Sequence, residues 1–319
     1  MKKRSGSSPK SSSTADLARL FAGTEAKPER LAKRIAAAGL CSRRDAEAWI
    51  TAGRVSINGA LHTSPAHNVQ PGDMITVDGK TLPKIEPPRL WRYYKPRGLI
   101  VSHRDDQGRQ SIFDVLPDDM PRVVSVGRLD LDSEGLILLT TSGDLARHLE
   151  LPTTGWSRKY RVRVHGRVDP SSLAGLADGV TIEGVRYQGI RAELDRQGTS
   201  NAWLTMVLKE GKNREIRRVM EHLGYRVSRL IRVSYGPFTL NTLDDGDLEE
   251  IRPAVLRDQL GLPREKAPAR PAKAPPKSYK PRSTRNPSNR GGTTPARAAK
   301  GKSDANHQRQ KTRRPARRS

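Results

Sequence analysis

The sequence predicts an α+β protein. Its expected core is a domain built on a mixed, largely antiparallel sheet, preceded by a small α/β domain and flanked by disordered basic termini. Three observations carry this. Residues 89–262 hold many short alternating apolar runs with a few helical stretches between them, the mixture expected of an antiparallel sheet with helices set beside it. Residues 28–82 switch from helical to alternating periodicity within one short segment. Both ends of the chain are rich in Lys, Arg, Ser and Pro and poor in large apolar side chains, so they cannot bury enough surface to fold.

The elements follow in chain order. Residues 1–27 read as a disordered basic N-terminus, with one short helix expected from Asp16 to Phe21. In residues 28–82, Leu31, Ile35 and Ala38 recur at helical spacing and Gly39 closes that helix. Ser42 and Asp45 form a capping-box pair that starts a second helix, whose apolar face is Ala46, Trp49 and Ile50 and which ends at Gly53. Val55 and Ile57 then alternate into an Asn58-Gly59 hairpin turn. Pro71-Gly72 and Asp78-Gly79 make two more turns around the alternating pair Ile75 and Val77. Residues 83–88 are a Pro-rich linker. Across residues 89–262, alternating runs near 100, 125, 137, 162, 205 and 230 predict strands, and residues 143–150, 170–177 and 213–223 predict helices. Residues 263–319 read as a disordered basic tail, with about 18 basic and two acidic residues.

Composition limits the function. The formal charge is +25, from 59 Lys and Arg against 34 Asp and Glu. Solubility needs a charge of only about 2–8, so the surplus points to a polyanion, where phosphate neutralisation releases condensed counterions. The single cysteine, Cys41, forbids an intrachain disulfide and suits a reducing, cytoplasmic setting. Between Ala38 and Ala46 it reads as a small core residue rather than a nucleophile. No apolar run approaches the ~18 residues of a membrane span, and the N-terminal charges are not followed by the apolar segment of a secretory signal. There is no Gly-rich dinucleotide fingerprint, phosphate-binding loop or paired metal-ligand motif, so no cofactor and no metal are expected.

The most informative segment is Gly127-Arg128-Leu129-Asp130-Leu131-Asp132-Ser133-Glu134-Gly135, followed by an apolar run. The pattern alone places carboxylates in a loop between two buried strands, a rigid platform for one fixed, exposed side chain. A turn or cap role is the alternative. The segment resembles the catalytic motif of the RsuA/RluB-type pseudouridine synthases, which implies that Asp130 is the catalytic aspartate. Asp132, two residues on, is the competing candidate and falls outside that register. Two further stretches match. Residues 159–164 place Tyr160 on a strand, where the family has a tyrosine against the target base. The run Glu210-Gly211-Lys212-Asn213-Arg214-Glu215-Ile216-Arg217-Arg218 matches the segment that brings a cation beside the aspartate, and the resemblance assigns that place to Lys212. A neighbouring cation favours the charged form of a carboxylate. Tyr94-Lys95-Pro96-Arg97-Gly98 matches a further family stretch. The resemblance covers about residues 90–258, and is nearest the RluB branch because of the long basic tail.

Residues 28–80 resemble the small RNA-binding domain of ribosomal protein S-four. The resemblance rests on Gly39, Ser42-Arg43-Arg44-Asp45-Ala46, Gly53, Ile57-Asn58-Gly59 and Pro71-Gly72-Asp73. Lys33, Arg34, Arg43, Arg44 and Arg54 lie at helix ends and on the polar face, where they can follow the shape of an RNA backbone. Arg214, Arg217 and Arg218 are expected to face RNA as well. Arg128 is expected to fill the place of an everted uridine or to bind a neighbouring phosphate.

The resemblance therefore implies isomerisation of a specific uridine in ribosomal RNA, in the large subunit more than the small, by a monomer acting on free RNA or an assembling subunit. The aspartate could attack the sugar carbon, add to the ring, or assist loss of a ribose proton, and all three routes need a charged carboxylate. Eversion of the base costs a few kcal/mol. The other readings are a non-catalytic RNA-binding ribosome-assembly factor and a polyanion binder acting through the tail alone. Neither needs Asp130, Tyr160 and Lys212 together.

Overall fold

The computed structural model describes residues 14–23, 27–263 and 278–279. Helix α1 (Thr14–Ala22) comes first. A small domain follows: β1 (Glu29–Arg30), α2 (Leu31–Ala37), α3 (Arg43–Thr51), β2 (Val55–Ile57), β3 (Ala60–His62), β4 (Asn68–Val69), β5 (Ile75–Val77) and β6 (Lys80–Thr81). The larger domain opens with β7 (Leu90–Lys95), β8 (Val124–Val126), β9 (Glu134–Thr140), α4 (Gly143–Glu150), β10 (Arg158–His165) and α5 (Pro170–Ala174). It continues with β11 (Val180–Ile182), β12 (Val185–Tyr187), β13 (Arg191–Gln197), β14 (Asn201–Leu208), α6 (Glu215–His222), β15 (Val227–Tyr235), β16 (Phe238–Thr239), β17 (Leu248–Ile251), α7 (Pro253–Gln259) and β18 (Ser278–Tyr279).

In the small domain the expected local signals appear as structure. Asp45 N–H donates to the Ser42 hydroxyl and the Asp45 carboxylate accepts from Ser42 N–H, closing the capping box at α3. Asn58 and Asp78 take positive φ (51° and 50°) ahead of Gly59 and Gly79, as tight hairpin turns require. Leu31, Ile35, Ala46, Ile50, Val55, Ile57, Ile75 and Val77 form one core, and Cys41 is buried beside them. Burial pushes the Cys41 thiol up to about 11, which fits an inert core thiol.

Among the described residues the larger domain has one ten-stranded sheet, whose main path runs β13-β14-β10-β15-β9-β7-β17-β18, with β8 on β9 and β16 on β15. Its pairings are antiparallel except β15 on β9, so the sheet is mixed and largely antiparallel. The continuous apolar run of β9 now has a cause. Ile137 and Leu139 face one core together with Trp91, Tyr160, Leu204 and α6, while Leu136 and Leu138 face a second together with α4, α7 and α1. A strand buried on both faces loses the alternation of a half-solvated one.

Three expectations change. The apolar run near residue 100 is not a strand: Leu99, Ile100 and Val101 are buried in a loop that makes only an isolated bridge from Ile100 to Ser111. The N-terminal helix is longer than expected, spanning Thr14–Ala22, and it buries Leu17 and Phe21 in the second core, because two large apolar side chains one helical turn apart find an open sheet face. In the tail, Ser278–Tyr279 adds to the edge strand β17 through backbone pairing, which asks nothing of side-chain composition. The remaining tail residues and residues 1–13 lie outside the described residues. Strands β7, β13 and β17 and the β11–β12 hairpin were not anticipated: charged residues interrupt β7, β13 and β17, and β11 and β12 are only three residues each.

Gly135 marks the parallel seam. It sits opposite Arg232 with φ +101°, and a Cβ there would lie 2.4 Å from Arg232 O and 2.9 Å from Arg232 N. Backbone cannot retreat as a flexible side chain can. Gly135→Ala is expected to lower stability by about 2–5 kcal/mol, adding backbone strain to overpacking. Chemical denaturation would measure this.

Candidate active site

The loop after β8 is fixed from several sides. Gly127 N–H donates to Glu150 Oε1 at 2.6 Å, and Leu129 is buried in the first core. Ser133 N–H donates to Asp130 O at 3.1 Å, and Gly98 N–H donates to Leu131 O at 2.8 Å. Under the loop lies Lys95, fully buried, whose amine donates to Ser133 O at 2.8 Å and Pro96 O at 2.9 Å. Burial pushes this amine down to about 8, against the pull of Asp130, Asp132, Glu134 and Asp245. With its backbone held in this way, the loop leaves the side chain of Asp130 32% exposed and that of Asp132 37% exposed.

Two arginines of the α6 segment meet these carboxylates. Arg214 Nη1 lies 3.7 Å from Asp130 Oδ2 and 3.5 Å from Asp132 Oδ1. Arg217 Nη2 lies 3.1 Å from Asp132 Oδ2 and donates to Asp132 O at 3.1 Å. Arg214 is the N-cap, in the left-handed region (φ 51°), and Arg217 follows one helical turn later, so both reach the same loop. Asp132 is thereby engaged as the counterion of Arg217. Asp130 has only the longer contact to Arg214 and is the freer of the two.

The resemblance had placed Lys212 beside the aspartate, and the geometry corrects this. The Lys212 amine donates to Glu210 Oε2 at 2.6 Å and to Arg186 O at 2.7 Å, and it makes no ion pair with Asp130. Glu210, two residues before it, and the Arg186 carbonyl within β12 capture the amine. The chain then turns at Arg214, which delivers the arginines to the loop instead. Tyr160 is 8% exposed in the same core as Leu129, next to Asp130, and Ile216 of α6.

Glu215 closes the start of α6. It is buried, and its Oε2 accepts from Lys212 N–H at 2.8 Å. Burial pushes its carboxyl up to about 7, with the neighbouring Glu210 charge adding to the rise. Burial also works against the charge of Glu210, but hydrogen bonds from Gln188 N–H and Lys212 hold that carboxyl below its usual range. Glu215 binds its proton more tightly folded than unfolded, where the ordinary value is 4.5. Its contribution to stability is full below about 4.5 and is lost as pH rises through about 7. Glu215→Gln, which cannot titrate, is expected to flatten this part of the pH profile, measured by denaturant unfolding across that range.

The other candidate residues separate clearly. Arg128, Arg218, Arg43 and Arg44 are exposed. Arg34 is only 3% exposed and bound to Glu29 at 2.5 Å, which makes it a strut between β1 and α2 rather than an RNA contact. Lys33 bridges Glu29 at 3.1 Å and Asp144 of α4 at 2.7 Å, so it ties the small domain to the larger one. Arg104 pairs with Asp45 at 2.5 Å across the same junction. Arg54 is exposed but held by Asp78 and stacked over Trp49 at 4.8 Å. Lys95 and Glu215 were missed as site residues. The sequence signal for Lys95 was a lysine on the core-facing register of an apolar strand.

No group of His, Cys, Asp or Glu among the described residues could hold a metal ion. No described helix is long and apolar enough to cross a membrane.

The family model for RNA pseudouridylate synthase matches residues 89–222, and that for the S4 domain matches residues 29–75. The chain is 48% identical over 229 residues to an uncharacterized RNA pseudouridine synthase of Rickettsia conorii, covering 72% of this chain and 99% of that one. It is 38% identical over 253 residues to ribosomal large subunit pseudouridine synthase B of Haemophilus influenzae, covering 76% and 70%. It is 41% identical over 218 residues to the Salmonella typhi protein of the same name, covering 66% and 75%. Among solved structures, a crystal structure of a pseudouridylate synthase is similar with a TM-score of 0.53 at 25% identity, covering 72% of this chain and 99% of that one.

Proposed function

The chain belongs to the RNA pseudouridine synthase family, and from that premise we propose that it isomerises a uridine of large-subunit ribosomal RNA with Asp130 as the reacting carboxylate. The observation that supports this most is the state of Asp130. It is fixed by its loop, half-open to solvent, and bordered by Arg214 while Asp132 is committed to Arg217. The large-subunit target is supported by the named relatives of Haemophilus influenzae and Salmonella typhi.

The reaction breaks the bond from ribose to ring nitrogen, turns the base, joins the ribose to carbon 5, releases the proton from that carbon and returns one proton to the freed ring nitrogen, so the composition of the nucleotide is unchanged. No atom is gained from another reactant, so preorganised charge and orientation are what the protein must supply. Asp130 presents its carboxylate to the sugar and base. Arg214 and Arg217 hold the loop by its two carboxylates. Tyr160 lies in the same core as Leu129 and is assigned here to support the plane of the ring. Arg128, exposed two residues before Asp130, occupies the space vacated by the everted nucleotide. The small domain supplies affinity through Arg43 and Arg44, its exposed cations at the start of α3. The protein acts as a monomer in the cytoplasm.

The test is tritium release from carbon-5-labelled ribosomal RNA, with pseudouridines mapped by carbodiimide treatment and primer extension. Release from large-subunit RNA at one position is expected. Release from small-subunit RNA alone would reject the target, and no release from either would reject the activity.

A further inference from the structure

The sheet carries a second polar surface that the reaction does not use. Along β10, Tyr160, Val162 and Val164 turn into the first core, so Lys159, Arg161, Arg163 and His165 turn to the opposite face. On the other half of the sheet, α4, α7 and α1 cover that opposite face. Over β13, β14 and β10 no element among the described residues covers it. Here the alternation is kept, with Lys159 and Arg161 exposed on β10 and Trp203, Thr205 and Val207 half-buried beside them on β14.

The face is cationic along β10. Among the described residues no carboxylate pairs with Lys159, Arg161 or Arg163, and Arg163 Nε is buried without a partner. Arg161 lies over the Trp203 ring at 4.9 Å, which fixes its guanidinium in place. The carboxylates of this face stand at its β13 edge, where Glu193 is 3.5 Å from Arg191 and Asp195 accepts from the Thr205 hydroxyl. Alternate residues on a strand are about 7 Å apart, so Lys159, Arg161 and Arg163 form a line of charges at a spacing comparable to that of successive phosphates. Single strands are gripped mainly by stacking bases on free aromatic faces; the Trp203 ring is already covered by Arg161, which leaves only the His165 imidazole at the end of β10. Rigid charges without a stacking platform suit the phosphate backbone of a double helix, recognised by shape.

We propose that this face of β10, β13 and β14 is a second RNA-docking surface, for the backbone of a double-helical segment distinct from the one that enters the Asp130 site. That the helix belongs to ribosomal RNA rests on the function proposed above; that the face takes duplex RNA does not. The enzyme would then clamp its substrate from two sides, reading folded RNA rather than a local stem alone.

The experiment uses the full chain and a uridine-free G–C RNA duplex, which cannot serve as substrate. Amine-reactive labelling followed by mass spectrometry is expected to show Lys159 protected about five-fold or more when the duplex is added. The Lys159→Ala/Arg161→Ala variant is expected to bind the duplex roughly ten-fold more weakly at physiological salt, with the slope of log K against log salt reduced by about two. Lys159 labelled equally with and without duplex would overturn the proposal, as would an unchanged affinity and salt slope in a folded variant. Protection by polyglutamate but not by the duplex would overturn it in favour of an acidic protein partner. The labelling reads the wild-type chain, so it holds even if the variant misfolds. Loss of tritium release would reject the catalytic assignment while leaving Lys159 protection intact.

Discussion

Asp130→Asn is expected to reduce turnover by at least ~10³-fold while leaving the fold and RNA affinity unchanged. Asparagine keeps the shape of the side chain and removes its charge. Arg214 loses one partner at 3.7 Å but keeps Asp132 at 3.5 Å, so the loop has no reason to move. Tritium release would measure the loss, a mobility shift the retained affinity and a thermal melt the retained fold. A variant within ten-fold of the wild-type rate would remove Asp130 from the chemistry. Asp132→Asn gives the contrast: it removes the charge paired with Arg217 but leaves the backbone carbonyl that the same guanidinium holds, so its effect is expected to be smaller.

Arg217→Ala is expected to lower kcat by roughly 10²-fold or more, with a smaller change in KM. The guanidinium holds both the carboxylate and the backbone carbonyl of Asp132, and its side chain is only 10% exposed. Its removal leaves two acceptors unpaired beside Asp130, and a misplaced reacting group is costly in rate. Lys212→Ala is expected to cost less than about ten-fold, since that amine serves Glu210 and Arg186. Steady-state kinetics of the two variants side by side would decide the matter. If Lys212→Ala were the more damaging, the cation beside the aspartate would be the lysine after all, and the arginines would be RNA contacts.

Much of the fold was legible where one local signal fixed one local structure. The Ser42–Asp45 capping box, the Asn58-Gly59 turn and the Leu31, Ile35, Ala46, Ile50 face need only neighbouring residues to form. Legibility failed where burial came from afar. The apolar run at Leu99, Ile100 and Val101 looked like a strand and is a buried loop, because its partners lie in other elements. β13 is rich in Arg, Glu and Asp, and pairs only because β14 offers its edge.

The candidate site divides in the same way. The sequence by itself determined the Gly-Arg-Leu-Asp loop and the basic segment 212–218, because motif residues are contiguous. It also determined the surplus of positive charge, which is a matter of composition. Only the tertiary structure decided which cation of that segment meets the aspartates, that Lys95 lies beneath the loop, and that one half of the sheet presents a basic face that no described element covers. The physical reason is that charges act through space. Which guanidinium reaches a carboxylate depends on where α6 is packed and on the left-handed turn at Arg214, and spacing along the chain carries neither distance.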